Sequence, residues 1–513
     1  MRNNTIENRA VQNAFIGFFS FFLSMAQVLI SVPVLLSYWG KEVYGIWLAL
    51  FAGFTMLQTI DSGHQNYVGN EFNMLYHADK EKLKEVLGSS MPMAYFLGLI
   101  ELFFCIFLIT IGYLPGFLGV TSELAAKYRV SYGIIILMIM WLLAGSLGGI
   151  IVRLLIPVGM LSQAQWWGIL NRFTQFLSLI GVAVLGGGLF QACVVFSFVQ
   201  LFLAAALLWY IRKKLPEFYP WWGSGNWRTA FGNFRKSLAL TFNGIAQQLS
   251  NNGLVVFVSA LFGAVMVPAF TTIRTLTNTA SAVTAIFISS LMPDMVRFHS
   301  TRSGEKLVKV FDVNWFISGM FVNIGIIAAL PVIERLYVFW TKGILPFDPL
   351  LFFSLAVAIS FFNFGSGLNV YIQSINDLKA QIIVTFTRIA VLFLSGYLLG
   401  LKYGIAGVGM GCVAAEIFSS ALMPVLFVNR RLADFCARLE PMQLRLALLP
   451  PIFLFLAGNL LMIYKISFSW IAAGLTIPFL ATYYYAWKNL DEDVRCRLRT
   501  AISSGISAFS LKF

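Results

Sequence analysis

The sequence predicts an all-α polytopic membrane protein of about 14 transmembrane helices, built as two six-helix lobes related by an internal repeat plus two C-terminal helices. Three observations carry this. Of 513 residues, 59% are hydrophobic and only 11% charged, whereas charged residues approach a quarter of a soluble domain. Apolar segments of about 20 residues, each long enough to cross a hydrocarbon core of roughly 30 Å as a helix, recur from end to end. They are continuous rather than alternating, which disfavours a barrel.

The apolar segments fall at 13–36, 43–60, 91–111, 131–156, 166–185, 190–211, 237–262, 268–292, 315–333, 349–372, 381–400, 405–427, 446–464 and 469–487. The first follows MRNNTIENRA, is too long for a signal-peptide core and has no small-residue cleavage pattern, so it reads as a retained span. An even number of spans places both termini on one side. With the termini in the cytoplasm, 26 of the 36 Lys and Arg lie on inner segments and 7 on outer ones, the positive-inside bias. That topological demand accounts for the +14 net charge without a nucleic-acid partner.

The longest inner loops are expected at 61–90, carrying DKEKLKEVL, and at 212–236, carrying RKKLPEFYPWWGSGNWR. Their aromatic and basic residues suit an interfacial layer. The longest outer loop, 112–130, is too short for a catalytic domain. Beyond the last span, Val494, Leu498, Ile502, Ile506 and Phe509 recur at helical spacing, which predicts a tail helix on the inner leaflet.

The repeat shows in AQWWGILNR and AQIIVTFTR: Ala164, Gln165 and Arg172 correspond to Ala380, Gln381 and Arg388, each shifted by 216. Gly40 before span two and Gly263 before span eight are shifted by 223. The implied division is an N-terminal lobe at 1–211, a cytoplasmic connection at 212–236, a C-terminal lobe at 237–427, two further spans within 428–487, and a cytoplasmic tail at 488–513. Facing lobes of this kind enclose a cavity at their pseudo-twofold axis.

Four spans carry polar stripes at steps of three or four, which keep one helix face. These are Ser20, Ser24, Gln27 and Ser31; Thr55, Thr59 and Ser62; Asn243, Gln247 and Asn251; and Arg274, Asn278 and Ser281. Interhelical hydrogen bonding would account for single hydroxyls, but stripes with amides favour a water-filled cavity. A charged Arg at the centre of a span costs roughly 2.5 to 3.5 kcal/mol on insertion scales. Arg172 and Arg388 lie near enough to span ends to snorkel, whereas Arg274 is deeper. Glu101 and Glu416 sit midway along spans, where counter-ion, ion-coupling and structural roles all stay open. Arg153 reads as an interfacial anchor, Gly407 and Gly411 as close-approach positions, and Asp61-Ser-Gly63 as a cap and turn with Asp61 a third ion-coupling candidate.

Catalytic chemistry is scarce. Five scattered cysteines and three isolated histidines indicate neither a disulfide framework nor a metal site, and no cofactor is implied. No phosphate-binding G-x-x-x-x-G-K-[ST] loop is present. Asp491-Glu-Asp493 matches the acidic D-x-D of sugar-nucleotide enzymes but reads as a solvated charge cluster. A transporter is therefore favoured over an enzyme.

The chain resembles the polysaccharide transporters of the multidrug/oligosaccharidyl-lipid/polysaccharide (MOP) exporter superfamily, which include the Wzx-type O-antigen flippases. SYWGKEVYGIWLALFAGFTMLQTIDSG (37–63) is similar to the family's Gly-x-x-x-Tyr-Gly and Asp-x-Gly bounding span two. LFGAVMVPAFTTIRTLTN into SSLMP (261–293) and LKAQIIVTFTR (378–388) are similar to its later stretches, although Ala264 to Pro268 lack the common Tyr. The resemblance implies two V-shaped bundles alternating between inward-open and outward-open states, with spans one, two, seven and eight lining the cavity. Its implied cargo is an undecaprenyl-pyrophosphate-linked oligosaccharide in a bacterial inner membrane, with membrane lipids and other glycan-assembly membrane proteins as partners. Arg274 falls where relatives carry an arginine associated with the lipid phosphate or anionic substrate. The alternatives are a multidrug and toxin exporter, which would favour acidic cavity residues, and a membrane enzyme of glycan assembly.

Overall fold

A computed structural model describes residues 2–464, 467–492 and 494–496. Helices underlie the apolar segments, and among the described residues ten are long and apolar enough to cross a membrane. The chain is a multi-pass, all-helical membrane protein that divides into two compact units. Unit 1 comprises Met1–Pro268 with Trp340–Leu345, and unit 2 comprises Ala269–Phe339 with Pro346–Phe513.

Unit 1 opens with α1 (Arg2–Leu57), whose helical path breaks at Gly40 (φ 66°, ψ 179°), a conformation that L side chains rarely adopt. After Gln58 the chain re-enters helix as α2 (Thr59–Leu75), followed by α3 (Lys80–Thr110), where Asp79 caps the first turn by accepting from Lys82 N at 2.9 Å. The inner loop expected from residue 61 is thus largely helix, and Asp61-Ser-Gly63 is not a cap and turn. Gly63 is small for a different reason. A Cβ there would stand 2.4 Å from Thr241 Cα, so α2 packs on its neighbour almost backbone to backbone.

That neighbour is α7 (Trp227–Gln248). Before it come α4 (Val130–Leu155), α5 (Leu161–Val184) and α6 (Leu189–Lys214). Within α4, residues Trp141–Gly145 form a π turn, a local widening frequent at functional sites. The α6 helix ends in Arg212, Lys213 and Lys214, cations matched to the negative end of its dipole. In the segment joining α6 to α7, Arg212 stacks over Tyr219 at 4.2 Å and Trp221 is buried. The α7 helix is capped by Asn226, passes a π turn at Leu249–Gly253 and continues as α8 (Leu254–Phe262) to Gly263 (φ 82°, ψ 155°). Gly263 therefore shares the dihedral region of Gly40. By its contacts this seventh apolar segment packs with α1, α2 and α3. Apolar side chains of α2, α3 and α4, among them Phe72, Leu83, Leu87, Ile150 and Leu154, form a buried core with Ile211 of α6 and Trp221 of the connection that follows.

Unit 2 contains α9 (Val267–Ser300) from Ala269 onward, α10 (Gly304–Ala329), α11 (Pro349–Ser374), α12 (Leu378–Tyr403), α13 (Ile405–Ala433), α14 (Pro441–Tyr464) and α15 (Phe468–Asn489). The largely buried α11 is its centre. Close approach is again paid for in glycine: a Cβ on Gly411 of α13 would lie 2.6 Å from Gly396 Cα of α12. Both additional helices pack here, α14 on α11 and α15 on α10, where Asn323 donates to Tyr483 Oη at 3.0 Å. Asp491 pairs with Lys309 of α10 at 2.9 Å, so this acid closes a structural contact. Of the predicted tail helix only Val494 is described; Leu498, Ile502, Ile506 and Phe509 lie outside the described residues.

Candidate functional site

In unit 1 two acids meet deep in the protein. Asp61 of α2 and Glu101 of α3 are 0% and 1% exposed, and Glu101 Oε1 accepts from the Asp61 backbone N–H at 3.1 Å. Asp61 Oδ2 accepts from Gln65 Nε2 at 2.8 Å and from Ser146 Oγ of α4 at 2.5 Å. Their other oxygens, Asp61 Oδ1 and Glu101 Oε2, are buried without a hydrogen-bond partner, as are both ring nitrogens of His64. Arg153, near the end of α4, reaches back to α2. Its guanidinium turns inward, donating to Gln65 Oε1 at 3.3 Å, to Asn66 Oδ1 at 2.6 Å and to the Gly149 carbonyl.

Beside this network, still within unit 1, a cavity of about 530 Å³ opens between the second half of α1, α2, α4, α5 and α6. Gln58, Asn171, Gln175 and Gln200 supply amides to its wall, Trp141 and Trp167 supply indoles, and no ionisable side chain lines it. Gln65 belongs both to this wall and to the acid network. Elsewhere in unit 1, Arg172 is exposed and reaches the stripe of α1, donating to Ser24 Oγ at 3.2 Å and to Ser20 Oγ. Gln27 is half-buried, with its Nε2 lacking a partner. Asn243 is half-buried, while Gln247 and Asn251 are exposed.

In unit 2, Arg388 of α12 forms an ion pair with Glu416 of α13, its Nε donating to Glu416 Oε1 at 3.0 Å. Ser420 donates to Glu416 Oε2 at 2.6 Å, and the guanidinium lies over Phe362 of α11 at 5.2 Å. Arg274 of α9 is half-buried within electrostatic reach of Cys412, Arg388 and Glu416. Further along α9, Asn278 is exposed and Ser281 keeps a buried hydroxyl without a partner. Unit 2 also holds a cavity of about 330 Å³, lined by apolar side chains such as Phe353, Met410 and Phe455 with Ser354 and Asn459.

Of the residues singled out from sequence, the fold joins Asp61 to Glu101 and gathers Arg274, Arg388 and Glu416. Gln65, Ser146, Gln175 and Gln200 were missed. The stripe Thr55, Gln58, Asp61, Gln65 continues the spacing of span two and would have found the first. Gln200, 216 residues before Glu416, would have followed from the repeat. Among the described residues no group of three or more His, Cys, Asp or Glu gathers to hold a metal.

No family model matches the sequence, and no curated protein matches it. Solved structures do. An inward-facing multidrug resistance MATE family transporter of the MOP superfamily matches with a TM-score of 0.62 at 15% identity, covering 80% of this chain and 95% of that one. An outward-facing MATE transporter gives 0.59 at 14% identity, over 83% and 96%. The lipid II flippase MurJ, in an inward closed conformation, gives 0.58 at 13% identity, over 92% and 97%. The chain thus has the fold that these MOP superfamily transporters share.

Proposed function

We propose that this chain is a flippase carrying an undecaprenyl-pyrophosphate-linked oligosaccharide, an O-antigen or exopolysaccharide repeat unit, from the inner to the outer leaflet of a bacterial inner membrane. In this reading fourteen spans form two lobes, 1–211 and 237–427, which alternate in access, with two further spans in 428–487 and both termini cytoplasmic. The matching dihedrals at Gly40 and Gly263 support the repeat.

The observation that carries the reading is that two arginines, Arg274 and Arg388, lie within electrostatic reach of each other in unit 2, where Arg388 pairs with Glu416. Guanidinium groups offer planar, permanently charged donors suited to phosphate. Arg274, with Asn278 and Ser281, is the proposed pyrophosphate clamp. Gln27, Asn243, Gln247, Asn251 and Arg172 are the proposed hydrophilic wall for sugars, while the prenyl chain stays in lipid. Asp61 and Glu101 are the proposed ion-coupling site.

The test is accumulation. Loss of the chain should leave lipid-linked oligosaccharide facing the cytoplasm, and Arg274→Ala at wild-type expression should reproduce that block. Normal flipping by Arg274→Ala would remove the clamp. A second reading, a MATE-type multidrug exporter, is favoured by the buried acids Asp61 and Glu101. It requires efflux of a lipophilic cation that fails in Asp61→Asn.

A further inference from the structure

We propose that the cavity inside unit 1 is a binding subsite for an uncharged glycosyl ring. The proposal rests on the flippase reading and assigns one sugar of the cargo to a place within a single unit.

The cavity, about 530 Å³, lies within the range of roughly 300–1,000 Å³ typical of small-molecule sites. Its chemistry selects among ligands. With no Asp or Glu on the wall, a cationic drug finds no counter-charge, and with no Lys or Arg, neither does a phosphate. What the wall offers instead are amides, each presenting a donor and an acceptor edge. A sugar hydroxyl is likewise donor and acceptor at once, so Gln58, Asn171, Gln175 and Gln200 match a ring of hydroxyls that no single-sign charge could satisfy. Gln175 donates to Asn171 Oδ1 at 3.1 Å, which fixes these two relative to each other, and Gln200, only 8% exposed, leans on Thr174 at 3.5 Å. The indoles of Trp141 and Trp167 complete the set, since a sugar ring has apolar C–H faces that pack on aromatic surfaces.

The backbone leaves room for such a ring. Where α4 widens at Trp141–Gly145 and continues through Gly148, a Cβ built on Gly148 would meet nothing within 4 Å. The helix surface there is bare, and a larger side chain would project into open cavity rather than into a neighbour. Gly148→Leu is therefore a plug that leaves the amides and indoles untouched.

The experiment uses the full chain in lipid nanodiscs, with methyl glycosides of glucose, galactose and N-acetylglucosamine as probes in saturation-transfer NMR. At least one glycoside is expected to bind, with binding lost in Gly148→Leu and weakened about five- to tenfold in Trp167→Ala. Unchanged helical circular dichroism and an unchanged size-exclusion profile show that each variant is folded. The proposal is overturned if no glycoside binds the wild type, or if folded Gly148→Leu and Trp167→Ala bind it normally. It is also overturned if tetraphenylphosphonium, rather than a glycoside, is what Gly148→Leu expels. The flippase reading fails separately: cavity-dependent glycoside binding without cytoplasmic accumulation of lipid-linked glycan in the deletion keeps the sugar site and removes the flippase. The reverse pattern does the opposite.

Discussion

Arg172 and Gln200 in unit 1 stand 216 residues before Arg388 and Glu416 in unit 2, yet the two pairs behave differently. In unit 2 the arginine and the acid close on each other, with Ser420 and Phe362 holding the pair, and the nearby cavity is small and apolar. In unit 1 the amide at the acid's position draws no cation, Arg172 swings out to Ser20 and Ser24, and an open polar cavity remains. The ion pair in unit 2 is a latched charge, whereas the wall of the unit 1 cavity is neutral and rich in amides.

The largest effect that can break this comparison is in unit 2. Arg388→Ala leaves Glu416, whose side chain is only 13% exposed, without its ion-pair partner, and should cost about 2 kcal/mol of stability. Adding Glu416→Gln should recover much of the loss, which thermal unfolding of the two single variants and the double variant would measure. If Arg388→Ala melts like the wild type, the latch contributes nothing. Arg172→Ala should cost less than about 1 kcal/mol, because its partners are hydroxyls at an exposed site. Equal losses for both arginines would erase the distinction between the units.

The smallest effect concerns pH. His299, at the end of α9, packs on Tyr371, with Nδ1 to Oη at 2.8 Å, and on Phe435 at 5.3 Å. Burial and the Arg431 cation hold its pKa below the ordinary value, with Asp434 opposing. A depressed histidine favours the neutral form in the folded state. The stability it supplies is present above about pH 6.5 and is lost as pH falls below it. Melting of the wild type should drop more between pH 7 and 5 than that of His299→Gln, and parallel curves would dismiss the residue.

Hydropathy made the membrane-crossing helices legible, since each needs a long apolar run whatever it packs against. It could not reveal α2, because Asp61, His64 and Gln65 look like a loop until α3, α4 and α7 bury them. Glu416 was visible as a misplaced charge, but its partner was not, because choosing Arg388 over Arg274 depends on how two helices rotate. Gln200 sits in an apolar run, where only its offset of 216 residues from Glu416 marks it. The cavity it lines is bordered by the bare Gly148 and by the widened turn at Trp141–Gly145, and neither leaves a trace in polarity.

Gln65 touches the cavity on one side and Asp61 on the other. The amide of Gln65 therefore connects whatever fills the pocket to the acids behind it. Thermodynamic reciprocity then applies: if a ligand in the pocket alters proton affinity behind it, protons alter that ligand's affinity by the same factor. In a transporter, such an exchange inside one unit would let a gradient set when cargo is released.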